Sequence, residues 1–163
     1  MKNSLILSFF LAGSAFADPG LALYRFGGGD GRFLVKYSES VLDKPFNNYL
    51  DRKGKDSWAK GALAVPADGT YAFKTVANRM MMRLDGVDYF FRGGSNHLEF
   101  VTHELKLAKG THPFEVFVSN RIPFGRDGDM NVYWKKPGDA DFEKIPMAAF
   151  SHTAADRGSR HRS

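Results

Sequence analysis

The chain has 163 residues, no cysteine, and 23 Lys and Arg against 18 Asp and Glu, a formal charge of +5. That length fits one domain with a core of its own. The missing cysteines exclude disulfides, a lipoprotein anchor, thiol chemistry and cysteine zinc sites. The charge is unremarkable once Lys2 and the basic end of the chain, with Arg157, Arg160 and Arg162, are set aside.

In chain order, the first segment reads as a leader. Lys2 gives the positive start, Leu5 to Ala12 a short apolar run, and Ala15-Phe16-Ala17 a small-x-small cleavage pattern that leaves Asp18 as the new N-terminus. The apolar run is too short to anchor the chain in a bilayer, and no later stretch is a membrane span. With no Asn-x-Ser/Thr acceptor either, the expectation is a secreted or periplasmic bacterial envelope protein.

After residue 17 the pattern is short alternating runs separated by turn signals, which is that of an all-β antiparallel sandwich or flattened barrel in a single domain. Leu21–Phe26 is the first strand, followed by the glycine loop Gly27–Gly31 and a second strand at Arg32–Tyr37. The polar stretch Ser38 to Ser57 reads as a long excursion with one helical turn near Pro45–Leu50. Strands follow at Ala62–Pro66 and Thr70–Val76. Met80–Leu84 and Val87–Phe91 form a hairpin about Asp85-Gly86, with Met80, Met82 and Leu84 directed to the core. Leu98–Leu107, Pro113–Asn120 and Met130–Trp134 are the last clear strands, and Lys135–Pro146 is a turn with a short edge segment. The domain is expected over 18–150, between a leader at 1–17 and a disordered basic tail at 151–163.

Candidate chemistry is sparse. The glycine loop lacks the Lys and Ser/Thr of a P-loop. Asp127, Asp129 and Asn131 begin like a calcium loop, but Val132 and Gly138 stand where an EF-hand needs glycine and glutamate. The histidines have no metal spacing: His97 and His103, on one straight strand, would lie about 20 Å apart. No serine sits in a nucleophile elbow. Lys and Arg are scattered through the sequence, with no basic face of the kind nucleic acid needs.

The order Gly69-x-Tyr71-x-Phe73, Asp85-Gly86, Leu107-x-x-Gly110-x-His112, then Trp134 and Pro137-Gly138 resembles the protective-antigen fourteen-kilodalton domain family over roughly Pro19 to Phe150. The resemblance implies a carbohydrate-binding β-sandwich. Calcium-dependent lectins of that family carry two consecutive aspartates before the strand that ends in Asp-Gly, and those positions here are Ala77 and Asn78. No cofactor is therefore expected. A looser calcium cage from Asp127, Asp129 and Asn131 is the remaining metal alternative.

The expected site lies on loops: Asn78, Arg79, Arg126, Asp127 and Asp129 to bind hydroxyls, with Tyr133 as a stacking aromatic. The reading is a non-enzymatic module for a glycan or cell-envelope polysaccharide, with no nucleic-acid partner. A docking protein for an envelope protein or anionic polymer is the alternative, and a small hydrolase the third reading.

Overall fold

A computed structural model describes residues 17–28, 34–42, 56–75, 79–92, 102–118 and 132–157. Twelve strands run through them: β1 (Asp18–Pro19), β2 (Leu21–Gly28), β3 (Leu34–Leu42), β4 (Asp56–Val65), β5 (Gly69–Thr75), β6 (Arg79–Leu84), β7 (Val87–Arg92), β8 (His103–Leu107), β9 (Gly110–Val118), β10 (Val132–Lys135), β11 (Glu143–Lys144) and β12 (Phe150–His152). A 3-10 turn, Met147–Ala149, precedes β12.

Two antiparallel sheets result. The eight-stranded sheet runs β1-β12-β4-β9-β6-β7, with β2 also on β4 and β3 on β2; the four-stranded sheet runs β11-β10-β5-β8. The all-β, sandwich-like single domain is as the alternation predicts.

Alternation places the core between the sheets. Leu63, Met80, Met82, Leu84, Phe114 and Val116 face it from the large sheet, and Tyr71, Phe73, Val132 and Trp134 from the small one. Fully burying each large apolar side chain is worth about 1.5–3 kcal/mol, enough to fix which face of a strand turns inward. Tyr71 and Trp134 pack with ring centroids 5.8 Å apart, and the Tyr71 hydroxyl donates to the Ala67 carbonyl at 2.8 Å, so its polar end is satisfied. The edges of the two sheets are also joined: His103 on β8 donates from Nε2 to the Phe90 carbonyl on β7 at 3.0 Å, with its ring edge-on to Phe91.

Several boundaries differ from the sequence reading. β3 begins at Leu34 and continues through Leu42, and β4 begins at Asp56, so both ends of the expected polar excursion are strand. Among the described residues β3 pairs only with β2, and an edge strand tolerates the polar run Ser38-Glu39-Ser40. β4 hides its beginning because its inward residues there, Ser57, Ala59 and Gly61, are small. β8 is described from His103. Residues 1–16 of the leader, the helical turn near 45–50 and residues 98–101 lie outside the described residues.

The tail expected to be disordered from residue 151 departs further. Ser151 and His152 belong to β12, which pairs with β4 and β1, and Phe150 and His152 are buried. Gly20 and Arg157 hold the His152 ring: a carbonyl only accepts and a guanidinium only donates, so Nδ1–H donates to the Gly20 oxygen while Nε2 accepts from Arg157. Thr153 closes the turn by donating from both its amide and its hydroxyl to the Asp156 carboxylate, each at 2.8 Å, and the Tyr24 hydroxyl donates to the Asp156 carbonyl. Small polar composition hid a segment held by hydrogen bonds and one buried aromatic. Residues 158–163 lie outside the described residues.

Candidate functional site

The two ends of the domain differ. At one end, tight turns are tied to one another. Asp85 and Gly86 both have positive φ, 51° and 79°, the type I′ geometry that the sequence Asp-Gly suits. The Asp85 amide donates to the Pro113 carbonyl. His112 Nδ1 stands 2.7 Å from the Asp85 carboxylate while Nε2 stands 2.8 Å from the Ala108 carbonyl. The Lys109 amide donates to Asp68 at 2.6 Å. A side chain at Gly69 would collide with the Pro137 ring, which explains why Gly69 and Pro137-Gly138 occur together. These residues carried the family resemblance, and their work is structural.

The opposite end receives the chain after β2, β5, β7 and β9 and before β4, β6, β8 and β10, as the registers Phe26↔Asp56, Ser57↔Val118, Arg79↔Arg92 and Thr75↔Val132 require. Arg79 opens β6 there. Asn78, Arg126, Asp127, Asp129 and Asn131 lie outside the described residues. At positions 77 and 78 a methyl group and a neutral amide supply no carboxylate, so this donor set does not fit a paired-aspartate calcium site. Among the described residues, no group of three His, Asp or Glu is placed to hold a metal ion.

Tyr133 is the second residue of β10. Its neighbours Val132 and Trp134 point inward, so Tyr133 projects from the outer face of the small sheet. There it lies between lysines, with Lys74 Nζ 5.6 Å and Lys144 Nζ 6.0 Å from its ring centre.

The outer face of the large sheet carries an arrangement the sequence reading missed. Register aligns Trp58 with Phe117, Phe117 with Met81, and Met81 with Phe90, one from each of β4, β9, β6 and β7. All four are on the side away from the core, and Phe90 is 65% exposed. Two residues towards the tied turns, a second row aligns Lys60, Glu115, Arg83 and Asp88 on the same strands. Trp58 Nε1 donates to Glu115 at 3.0 Å. Arg83 clasps Asp88 through Nε at 2.5 Å and Nη2 at 3.0 Å, and its Nη1 is 3.9 Å from Glu115. That bidentate bond lowers the Asp88 pKa and raises that of Arg83. An aromatic row beside a charged row offers stacking and hydroxyl recognition together. The signal was hidden because one strand contributes only one residue to each row.

No family model matches the sequence, and none of the curated proteins matches it. Solved structures share its architecture. An anti-sigma factor domain-containing protein superposes with a TM-score of 0.65 at 16% identity, over 83% of this chain and 48% of the other. The PA14 domain of the MpAFP antifreeze protein gives 0.56 at 14% identity, over 94% and 96%. The chain has a PA14-like fold. The A domain of epithelial adhesin 9 from Candida glabrata, solved in complex with Galβ1-3GlcNAc, gives 0.63 at 11% identity, over 88% and 93%. This PA14-like chain spans about half the length of the anti-sigma factor domain-containing structures that it matches.

Proposed function

We propose that this chain is an exported, non-enzymatic module of the protective-antigen type that binds a glycan or cell-envelope polysaccharide. The observation that supports the reading most directly is the row Trp58, Phe117, Met81 and Phe90, half-buried except for the exposed Phe90, beside Lys60, Glu115, Arg83 and Asp88 at the loop end of the large sheet. Sugar rings stack their C–H faces on the row, and the charged row hydrogen-bonds the hydroxyls. Asn78, Arg79, Arg126, Asp127 and Asp129 would extend the same site from the loops. The fold shared with a glycan-bound adhesin domain agrees with this reading. Catalysis of glycoside hydrolysis asks for a carboxyl with a raised pKa, whereas Arg83 pushes Asp88 the other way.

Without a metal the sugar is held by stacking and hydrogen bonds that must first displace water, so affinity is expected near 0.1–1 mM, about 4–5.5 kcal/mol. A glycan array followed by calorimetric titration of the best neutral saccharide tests the reading. Phe90→Ser and Trp58→Ala should each weaken binding about tenfold, or about 1.4 kcal/mol. Affinity unchanged by both, or no saccharide bound at 10 mM (about an order of magnitude above that range), would overturn it.

A further inference from the structure

We propose that the outer face of the four-stranded sheet is a second binding surface, and that its ligand is an acidic polysaccharide of the polyuronate kind. The lysines that look scattered in the sequence converge here. Register sets Tyr133 between Lys74 on β5 and Lys144 on β11, in one row across three strands. Lys135 is two residues along on the same side of β10. Phe142 lies 4.4 Å from Lys74 Nζ and 5.9 Å from Lys135 Nζ, measured to the ring centre. Lys106, outward on β8, adds a fourth ammonium. Among the described residues the nearby carboxylates include Glu104 on β8 and Asp141 next to Phe142, and Lys74 and Lys144 each make a further interaction within the protein; the described residues of this region still carry a positive balance. Glu143 is on the other side of β11: it accepts from Trp134 Nε1 and is paired with Lys136, which holds it ionised.

Four ammonium–ring contacts fall within five residues. Each ring faces an ammonium and restricts where it can go. Strand spacing sets Lys74 and Lys144 about 10 Å apart. The result is a pre-arranged line of point charges, complementary to a chain that carries carboxylates at intervals. Lysine ammoniums pair with carboxylates as point charges. Nucleic acid would need bare ring faces on which bases stack, and here ammoniums lie against those faces. The surface is separate from the aromatic row on the large sheet, and its occupancy does not depend on the neutral glycan proposed there.

The full chain without its leader should be titrated with polygalacturonate, with neutral dextran of similar length, and with single-stranded DNA, at 20–200 mM salt (Debye lengths from roughly 20 Å to under 10 Å). Polygalacturonate should bind, weaken steeply with salt as counterions are no longer released at a gain, and bind at least tenfold more weakly to Lys74→Gln/Lys144→Gln. Lys109→Gln, at the tied turns, should leave it unchanged. Equal melting temperatures of the variants would place any loss in binding and not in folding. Absence of polyuronate binding, equal loss in Lys109→Gln, or tighter binding of DNA that depends on the same lysines would overturn the proposal. Retention of neutral-saccharide binding through Phe90 and Trp58 in that case would leave the first reading standing.

Discussion

His112 bridges two turns with its ring, and its contact with Asp85, 2.7 Å from Nδ1 to the carboxylate, decides how that ring is protonated. The Ala108 carbonyl at Nε2 accepts only, so that nitrogen carries a hydrogen. The carboxylate at Nδ1 also accepts, and the doubly protonated ring satisfies both. Burial opposes the charge, but the Ala108 carbonyl and Asp85 together outweigh it, so the His112 pKa is raised above its ordinary value of 6.5.

A pH dependence follows, with its sign. A raised pKa in the folded state stabilises below the unfolded value and is lost as pH rises through the folded one. The melting-temperature advantage of the native protein over His112→Gln should be full below about pH 6.5 and should shrink above it. Asp85→Asn should flatten the profile. A constant difference from pH 5 to 9 would show that the bridge works with an uncharged ring.

Gly86→Val should destabilise by about 1–3 kcal/mol, because a β-branched residue is strained at a φ of 79°. Nothing lies within 4 Å of a side chain placed there, so the cost is that of the backbone alone. Gly86→Asn should therefore cost much less, asparagine being tolerant of the left-handed region. Equal losses in chemical denaturation would point to a clash instead.

Gly61→Ala should loosen the C-terminal strand. The added methyl would collide with the Ser151 carbonyl and press on Leu21, forcing β12 and β2 away from β4 at a cost of about 1–3 kcal/mol. Limited proteolysis should then cut after Arg157 faster than in the native protein. Unchanged cleavage would mean that the sheet absorbs the methyl elsewhere.

Calcium is expected not to bind tightly. Calorimetry with calcium and then with chelator should give no micromolar site in the native chain, whereas Ala77→Asp with Asn78→Asp should install one by supplying two carboxylates. Micromolar binding in the native chain that Asp127→Ala and Asp129→Ala abolish would restore a calcium-dependent mechanism.

Export should leave Asp18 as the first residue. Mass spectrometry of the secreted protein checks this directly, and an intact Met1 on the folded, soluble form would contradict it.

How much of this could be read from the sequence depends on distance along the chain. Met80, Met82 and Leu84 declared their side by alternation, and Asp85-Gly86 declared its turn, because both signals are local. Trp58 was passed over because Ser57, Ala59 and Gly61 give the inward side of β4 no apolar signal. The pairing of Lys74 with Tyr133 joins residues far apart in sequence, and only strand register brings them together. The candidate loop residues Asn78, Arg126, Asp127 and Asp129 rest on the sequence reading alone.

The short pair of β1 with β12, Asp18 opposite His152 and Pro19 opposite Ser151, has a mechanical consequence. The strands are antiparallel, so the chain arrives at Asp18 and leaves after His152 on the same side of the pair. Tension between those points would load the pair's hydrogen bonds one after another, as in opening a zipper, and not all together as in shear. The Arg157–Asp18 contact at 3.2 Å lies across that opening and would be among the first to part. A pull through both ends would thus be met first by this fringe, while β4, β9 and β6 remain joined at the centre of the sheet.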